Sequence, residues 1–166
     1  IAFENYTATN EKLSFSTTNA RITDIYDPQG IWQEPIVKDQ NLVTTIKSSP
    51  GFKTAFVRLK QGAIEWWEPV DMEIRNPVEI IADKRQDVDK LNFRIQNNTS
   101  KLLTGTLILN SSANGFSQEL SIKPNAESDE IHVNVEYLVP GSNRVKIESN
   151  TNSYEKSIIN WNIKSS

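Results

Sequence analysis

Residues 90–96 read KLNFRIQ, a stretch in which every second side chain is apolar. Leu91, Phe93 and Ile95 alternate with polar residues, and a period of two indicates a β-strand that buries one face. The turn-forming sequence NNTS follows directly at residues 97–100. This stretch therefore predicts a strand of an antiparallel sheet with one buried and one solvated face.

Similar runs occupy most of the chain from residue 77 onward. They cover residues 78–82, 104–110, 116–122, 131–135, 144–148 and 158–163. With 90–96 they give about seven short strands in about 90 residues, the number and spacing of an immunoglobulin-like β-sandwich. In the last run, we expect Ile159, Trp161 and Ile163 to share one face. The charged segment 83–90, DKRQDVDK, contains one apolar residue and predicts a loop.

The first 76 residues contain β-like runs separated by turn sequences, such as DPQG at 27–30. The runs are residues 13–15, 20–26, 42–46, 53–60, 63–67 and 70–74. A hairpin is expected over residues 56–67, around Gln61 and Gly62. Pro77 cannot donate to a sheet ladder and marks a boundary. The sequence therefore predicts an all-β protein with a β-sandwich-like unit at 1–76 and an immunoglobulin-like β-sandwich at 77–166.

The composition excludes several classes of function. The chain has 166 residues, a formal net charge of -3 and no cysteine. Its Lys and Arg residues are scattered, so no cationic stripe exists to neutralise a row of phosphates, and we expect no nucleic-acid partner. Without cysteine, a disulfide scaffold, a thiolate nucleophile and a Cys-ligated zinc site are excluded. No apolar run approaches the length of about 18 residues that a membrane span needs.

The cellular location is also suggested by composition. Asn, Ser and Thr are abundant, as is typical of an exported bacterial β-protein, and the absence of cysteine is compatible with that compartment. We therefore expect a periplasmic, cell-surface or extracellular location. The chain opens at IAFENY without Met, so we expect a processed product or a piece of a longer polypeptide.

The segment 62–74, GAIEWWEPVDMEI, carries the strongest functional signal. Alternation places Trp66 inward and Trp67 outward, unless Pro69 introduces an irregularity that changes the register. An exposed indole suits the apolar face of a pyranose, while carboxylates accept hydrogen bonds from its hydroxyls. The candidate glycan contacts are therefore Trp67 and the carboxylates of Glu65, Glu68 and Asp71. The alternative is that Trp67 packs beneath another part of the chain or a neighbouring domain.

Trp32 follows the DPQG turn and is the second aromatic candidate. It would either plug one end of the sandwich or stand out as a further glycan contact. Sequence alone leaves both interpretations open.

The acidic residues and the single histidine predict neither catalysis nor metal binding. A glycosidase needs two carboxyl groups about 5 to 10 Å apart across a cleft, whereas the carboxylates of 62–74 lie on one short hairpin. Asp83, Asp87 and Asp89 lack the spacing of a calcium-binding loop. His132 is expected on the polar face of a strand, with no nucleophile and acid beside it. We therefore predict no catalytic residue, no metal and no cofactor.

Two segments, ARITDIYDPQGIW at 20–32 and SSPGFKTAFVRLKQGAIEWWEPVDMEI at 48–74, precede the predicted seven-strand sandwich. This combination resembles the β-rich, non-catalytic region of large exported glycosidases from Bacteroidetes-type polysaccharide degraders. The second half by itself resembles the immunoglobulin-like modules that adjoin such enzymes. The resemblance implies an accessory role, in which the chain packs against or positions a catalytic domain of the same polypeptide, typically an (α/α) toroid.

The sequence therefore favours a non-catalytic accessory region of a secreted carbohydrate-active protein, with weak polysaccharide or oligosaccharide contact through exposed aromatic side chains. The alternative is an extracellular protein–protein interaction or adhesion module that uses sheet edges or exposed loops. A free-standing glycosidase is the third interpretation.

Overall fold

The computed structural model describes residues 3–83, 86–110, 115–150 and 152–163. Within these ranges the chain forms fourteen β-strands, one turn of 3-10 helix at Val135–Tyr137 and no α-helix. The all-β prediction is therefore confirmed. Residues 84–85 of the predicted charged loop lie outside the described residues. The chain divides into two compact units, Ile1–Asn76 and Pro77–Ser166.

The first unit contains two antiparallel sheets, of four and three strands. Its strands are β1 (Phe3–Ala8), β2 (Lys12–Thr17), β3 (Arg21–Tyr26), β4 (Trp32–Lys38), β5 (Asn41–Ile46), β6 (Gly51–Gln61) and β7 (Ile64–Ile74). The sheet orders are β1-β2-β5-β4 and β3-β6-β7. This is the strand order of an immunoglobulin constant domain, so the first unit is also immunoglobulin-like.

Alternation builds the core of the first unit. In β5, Leu42, Thr44 and Ile46 are buried while the residues between them are exposed, as expected of a strand with one solvated face. The hydrophobic core of this unit is formed by Leu13, Phe15, Ala20, Ile22, Ile31, Trp32, Leu42, Ile46, Ala55, Val57, Leu59, Val70, Met72 and Ile74. The predicted hairpin is confirmed, since β6 pairs with β7 from Gly51 opposite Ile74 to Gln61 opposite Ile64.

The second unit again has seven strands, divided between two antiparallel sheets. They are β8 (Val78–Ala82), β9 (Lys90–Asn97), β10 (Leu103–Leu109), β11 (Ser117–Ile122), β12 (Ile131–Asn134), β13 (Gly141–Ser149) and β14 (Ser153–Asn160). The sheet orders are β12-β9-β8 and β11-β10-β13-β14. The unit differs from the first in its fourth strand, because β11 pairs with β10 whereas β4 pairs with β5. Both orders are Greek-key variants of the immunoglobulin-like sandwich.

The burial pattern at the end of β14 differs from the sequence-based prediction. Ile158 and Asn160 face the interior, whereas Ile159 and Trp161 are exposed. Asn160 is buried because its side-chain amide donates hydrogen bonds to the main-chain carbonyls of Asp87 in the β8–β9 loop and Lys90 at the start of β9. Ile159 and Trp161 therefore share one face, as expected. The expectation is wrong for Ile163, which lies beyond the end of β14 and is buried.

Candidate functional site

Strand β7 presents Trp66 and Trp67 to opposite faces of its sheet. The pairing with β6 has no register shift along its whole length, so Pro69 does not interrupt the alternation. The order β3-β6-β7 gives β7 a single sheet neighbour, and a proline fits an edge strand when its nitrogen faces away from that neighbour. Trp66 packs against the hydrophobic core, whereas Trp67 is 43% exposed.

The outward side chains of β3, β6 and β7 form a cluster that we call the aromatic face: Tyr26, Phe56, Arg58, Trp67 and Pro69. Register places Tyr26 opposite Phe56 and Phe56 opposite Pro69 in one row, with Arg58 opposite Trp67 in the next. The ring centroids of Tyr26 and Phe56 are 6.0 Å apart, and those of Tyr26 and Trp67 are 6.4 Å apart in an edge-to-face arrangement. These distances are typical of favourable aromatic pairs, so contacts between the rings help to fix their positions.

Arg58 places a positive charge beside the Trp67 ring. Its guanidinium carbon lies 5.9 Å from the centroid of the Trp67 ring, within the range of a cation–π contact. The same guanidinium forms a 2.7 Å ion pair with Glu65. Both side chains are partly exposed, so the pair contributes little stability, but it orients charged groups beside the indole. The result is an aromatic platform bordered by hydrogen-bond donors and acceptors.

Asp71 lies on the same outward side of β7, farther along the strand. Its carboxylate accepts a 2.7 Å hydrogen bond from the Thr54 hydroxyl on β6. The Tyr6 hydroxyl of β1 donates a 3.0 Å hydrogen bond to the main-chain carbonyl of Asp71. Burial, and secondarily the Asp71 carboxylate, raise the pKa of the Tyr6 phenol above its ordinary value.

We expect this raised pKa to make the stability of the first unit sensitive to alkaline pH. A proton held more tightly in the folded state stabilises the fold below the unfolded-state pKa of 10.0, and this contribution is lost as the pH rises through the folded-state value. The free energy of unfolding should therefore fall more steeply between about pH 9 and about pH 11 in the wild type than in Tyr6→Phe. Urea denaturation across this range tests the difference. A constant offset between the two proteins would contradict it.

Two of the sequence-based candidates lie elsewhere. Trp32 is 5% exposed and belongs to the core, where its indole N–H points at the Met72 sulfur at 3.1 Å. Of the two interpretations that the sequence left open, the packed one is correct, so Trp32 is not a surface glycan contact. Glu68 lies on the inward side of β7, half-buried, and its carboxylate accepts a 2.9 Å hydrogen bond from the Trp66 indole. It therefore does not border the aromatic face.

The loop that carries Trp32 shows why this residue turns inward. The Asp27 carboxylate accepts hydrogen bonds from the main-chain N–H groups of Ile31 and Trp32, at 3.1 and 2.8 Å. Gly30 takes a positive φ of 65°, which completes the bend. The DPQG turn is thus closed by its own aspartate, and the chain enters β4 with Ile31 and Trp32 buried.

The two candidate carboxylates that lie on the outward side of β7, Glu65 and Asp71, do not form a glycosidase pair. Glu65 and Asp71 are six residues apart on one strand, which separates them by about 20 Å. Retaining and inverting glycosidases hold their two carboxyl groups about 5 to 10 Å apart on either side of the scissile bond. Neither geometry is met by this pair.

The acidic residues of the described ranges form no metal-binding cluster. In the part of the chain that the structure describes, no group of three or more His, Asp or Glu side chains is placed to hold a metal ion. The Asp87 carboxylate instead accepts a 2.8 Å hydrogen bond from Asn92, whose side chain also contacts His132. The described ranges also contain no helix long and apolar enough to cross a bilayer.

Sequence reasoning missed several surface aromatic residues. Tyr26 and Phe56 belong to the aromatic face, and Trp161 is 77% exposed in the second unit. The sequence did contain a signal that Phe56 points outward. Ala55, Val57 and Leu59 alternate with Phe56 along β6, and these three residues are buried. Tyr26 gave no such signal, because the register of β3 against β6 shifts between Ile22 and Asp24.

Comparison with known proteins assigns no family to the chain. No family model and no curated protein matches the chain. A solved structure named "Biofilm associated protein - BSP domain" is similar over 93% of this chain, with 14% sequence identity and a TM-score of 0.27. The chain spans 28% of the length of that structure. The relation to glycosidase accessory regions stays a prediction.

Proposed function

We propose that this chain is a non-catalytic pair of immunoglobulin-like modules in an exported protein, and that the aromatic face binds carbohydrate. The observation that carries the proposal is the exposed Trp67 indole, buttressed by Tyr26 and bordered by the Arg58–Glu65 ion pair. A pyranose offers apolar C–H groups that stack on an indole and hydroxyls that exchange hydrogen bonds with carboxylate and guanidinium groups.

The role that follows is accessory. The chain would keep a catalytic domain of the same polypeptide near its polysaccharide, as the resemblance to glycosidase accessory regions implies. An open sheet face buries little of a sugar, so the affinity of one site is expected to be weak, with a Kd of about 0.1 to 1 mM. Such a site retains substrate most effectively when it acts with other sites on one chain.

A specific observation favours a second candidate, an adhesion or protein-interaction module. Phe52 lies on the outward side of β6, two residues before Thr54, and is 83% exposed. The hydrogen-bonded Thr54–Asp71 pair separates Phe52 from the aromatic face, and Glu73 lies opposite Phe52 on β7. Exposed aromatic rings are enriched at protein–protein interfaces, so the Phe52 ring suits a protein partner.

Trp67→Ala is expected to abolish binding through the aromatic face while the protein stays folded, because the ring is partly exposed and makes surface contacts only. Affinity gel electrophoresis in hydroxyethylcellulose, xylan, galactomannan and pullulan measures this loss. Val43→Ala is the matched control, since Val43 is exposed on the opposite sheet of the same unit. It should migrate like the wild type.

The competing interpretations predict different results. If no polysaccharide retards the wild type, or if Trp67→Ala migrates like the wild type in every gel, the aromatic face is not a carbohydrate site. Capture of a defined protein partner that is lost in both Phe52→Ala and Trp67→Ala would favour the adhesion module.

A further inference from the structure

The second unit exposes an indole that the aromatic face does not use. Trp161 follows the end of β14 and is 77% exposed, more than the other tryptophans of the chain. Isolated exposed apolar residues are common on protein surfaces and need no special explanation. What distinguishes Trp161 is the way in which its ring is held.

The Trp161 ring lies flat on the main chain of Gly141. A Cβ atom placed at Gly141 would meet three successive carbons of the six-membered ring, Cη2, Cζ3 and Cζ2, at 2.8, 3.0 and 3.2 Å. Nearly equal distances place this point above the ring plane, because an edge-on contact would leave the two outer carbons much farther away than the middle one. One face of the indole is therefore supported by the backbone. Its high exposure leaves the other face open to solvent.

Glycine is required beneath this ring for two reasons. Gly141 has a φ of 92°, which other residues rarely adopt, and any Cβ would occupy the space that the indole fills. The backbone at Gly141 thus supports one face of the Trp161 ring, and a side chain at this position would displace the ring.

The turn that carries Trp161 is anchored on both sides. Asn160 is buried, and its side-chain amide donates a 2.9 Å hydrogen bond to the main-chain carbonyl of Asp87. The Asn160 side-chain oxygen accepts a hydrogen bond from the main-chain N–H of Asn162, and the Asn162 amide donates to the carbonyl of Gln86. Trp161 is therefore displayed on a turn that is fixed to the β8–β9 loop.

A polar depression begins at the residue next to the indole. It has a volume of about 520 Å³, and its lining consists of Gln86, Asp87, Val88, Asp89, Lys90 and Asn162. This volume falls within the range of small-ligand sites. The side chains of Gln86, Asp87 and Asn162 form hydrogen bonds within the unit. The Asp89 carboxylate and the Lys90 ammonium group add an acceptor and a donor of the kind that sugar hydroxyls use.

We propose that Trp161 and this depression form a second carbohydrate site, in which one pyranose stacks on the open face of the indole and its hydroxyls hydrogen-bond to the polar lining. The inference rests on the proposed function for its ligand class, but it uses no residue of the aromatic face. A protein segment as the occupant would need apolar side chains along the depression, whereas five of its six lining residues are polar or charged.

Affinity gel electrophoresis of the whole chain in hydroxyethylcellulose, xylan, galactomannan and pullulan tests the second site. Trp161→Ala is expected to raise the Kd for the retarding polysaccharide by about tenfold or more, and Asp89→Ala by several-fold. Ile159→Ala is the matched control, because Ile159 is an exposed apolar residue of β14, two residues before Trp161. It should leave the Kd unchanged.

The two sites are separated by comparing Trp161→Ala with Trp67→Ala. Weaker retardation in Trp161→Ala alone supports the second site and overturns the aromatic face as a sugar site. Weaker retardation in Trp67→Ala alone does the reverse. An equal loss in Ile159→Ala and Trp161→Ala, or a wild type that no polysaccharide retards, overturns the second site.

Discussion

Replacing Asn97 by alanine is expected to lower the free energy of unfolding of the second unit by about 3 kcal/mol. Asn97 is fully buried, and its amide nitrogen lies 2.8, 3.1 and 3.1 Å from the carbonyl oxygens of Lys101, Ile122 and Lys123. Its side-chain oxygen accepts hydrogen bonds from the main-chain N–H and the hydroxyl of Thr99. One side chain thus ties the β9–β10 turn to the end of β11. Its removal leaves several buried polar groups without partners.

Urea denaturation followed by far-UV circular dichroism measures the loss, and hydrogen exchange in peptides from β9, β10 and β11 locates it. Asn97→Asp keeps the acceptor but removes the donors, so it should be destabilised to a similar degree. Asn134→Ala is the surface control, since Asn134 is exposed and makes no side-chain capping bond to the 3-10 helix; its effect should stay within about 0.5 kcal/mol. A stable Asn97→Asp would show that the donated hydrogen bonds contribute little.

Gly105→Ala is expected to destabilise the second unit by about 3 kcal/mol, although it adds only a methyl group. A Cβ at this position would lie 2.5 Å from the main-chain oxygen of Glu148 and 3.3 Å from the Cα of Ser149. Both atoms belong to β13, which pairs with β10 at this point. A rotamer change cannot relieve a clash with a backbone carbonyl, so the strands must separate locally.

Thermal and urea denaturation of Gly105→Ala, compared with Thr104→Ala, measure this effect. Thr104 is exposed on the same strand, and its replacement adds no atom, so the control should lose less than about 1 kcal/mol. Equal stabilities of the two variants would mean that β10 and β13 adjust to the methyl group without cost.

Alternation was sufficient to predict the strands that bury one face. Stretches such as 90–96 and 42–46 give the correct element and the correct face, because hydrophobic burial selects one of two possible orientations for the whole strand. The same reasoning places Trp66 inward and Trp67 outward. It succeeds across Pro69 because β7 has a sheet neighbour on one side and keeps a single register along its length.

Strands β1 and β4 were not predicted, because neither has the regular alternation of apolar and polar residues on which the prediction relied. Each lies at an outer position of its sheet, is mostly exposed and contains a register shift, next to Asn5 in β1 and Glu34 in β4. Both residues adopt a positive φ, of 51° in each case. A bulge adds a residue to the strand, so the alternation that sequence reasoning relies on is lost.

The exposure of Trp161 was not predicted, for a different reason. Hydrophobicity ranks tryptophan and isoleucine as interior residues and asparagine as an exterior one, which favours the alternation of 159, 161 and 163. Asn160 reverses this order because its amide finds main-chain carbonyl partners inside the second unit. Buried hydrogen bonds between residues about 70 positions apart leave no local signal in the sequence.

The position of Pro69 also bears on aggregation. An unprotected outer strand offers its free N–H and C=O groups as a template on which further chains add, and flat apolar strands are the most prone to it. In β7 the ladder that an incoming strand would need is missing a donor at Pro69. Two copies of β7 would in addition bring together the carboxylates of Glu65, Asp71 and Glu73. The chain can therefore display the Trp67 indole on a long strand without that strand seeding fibrils.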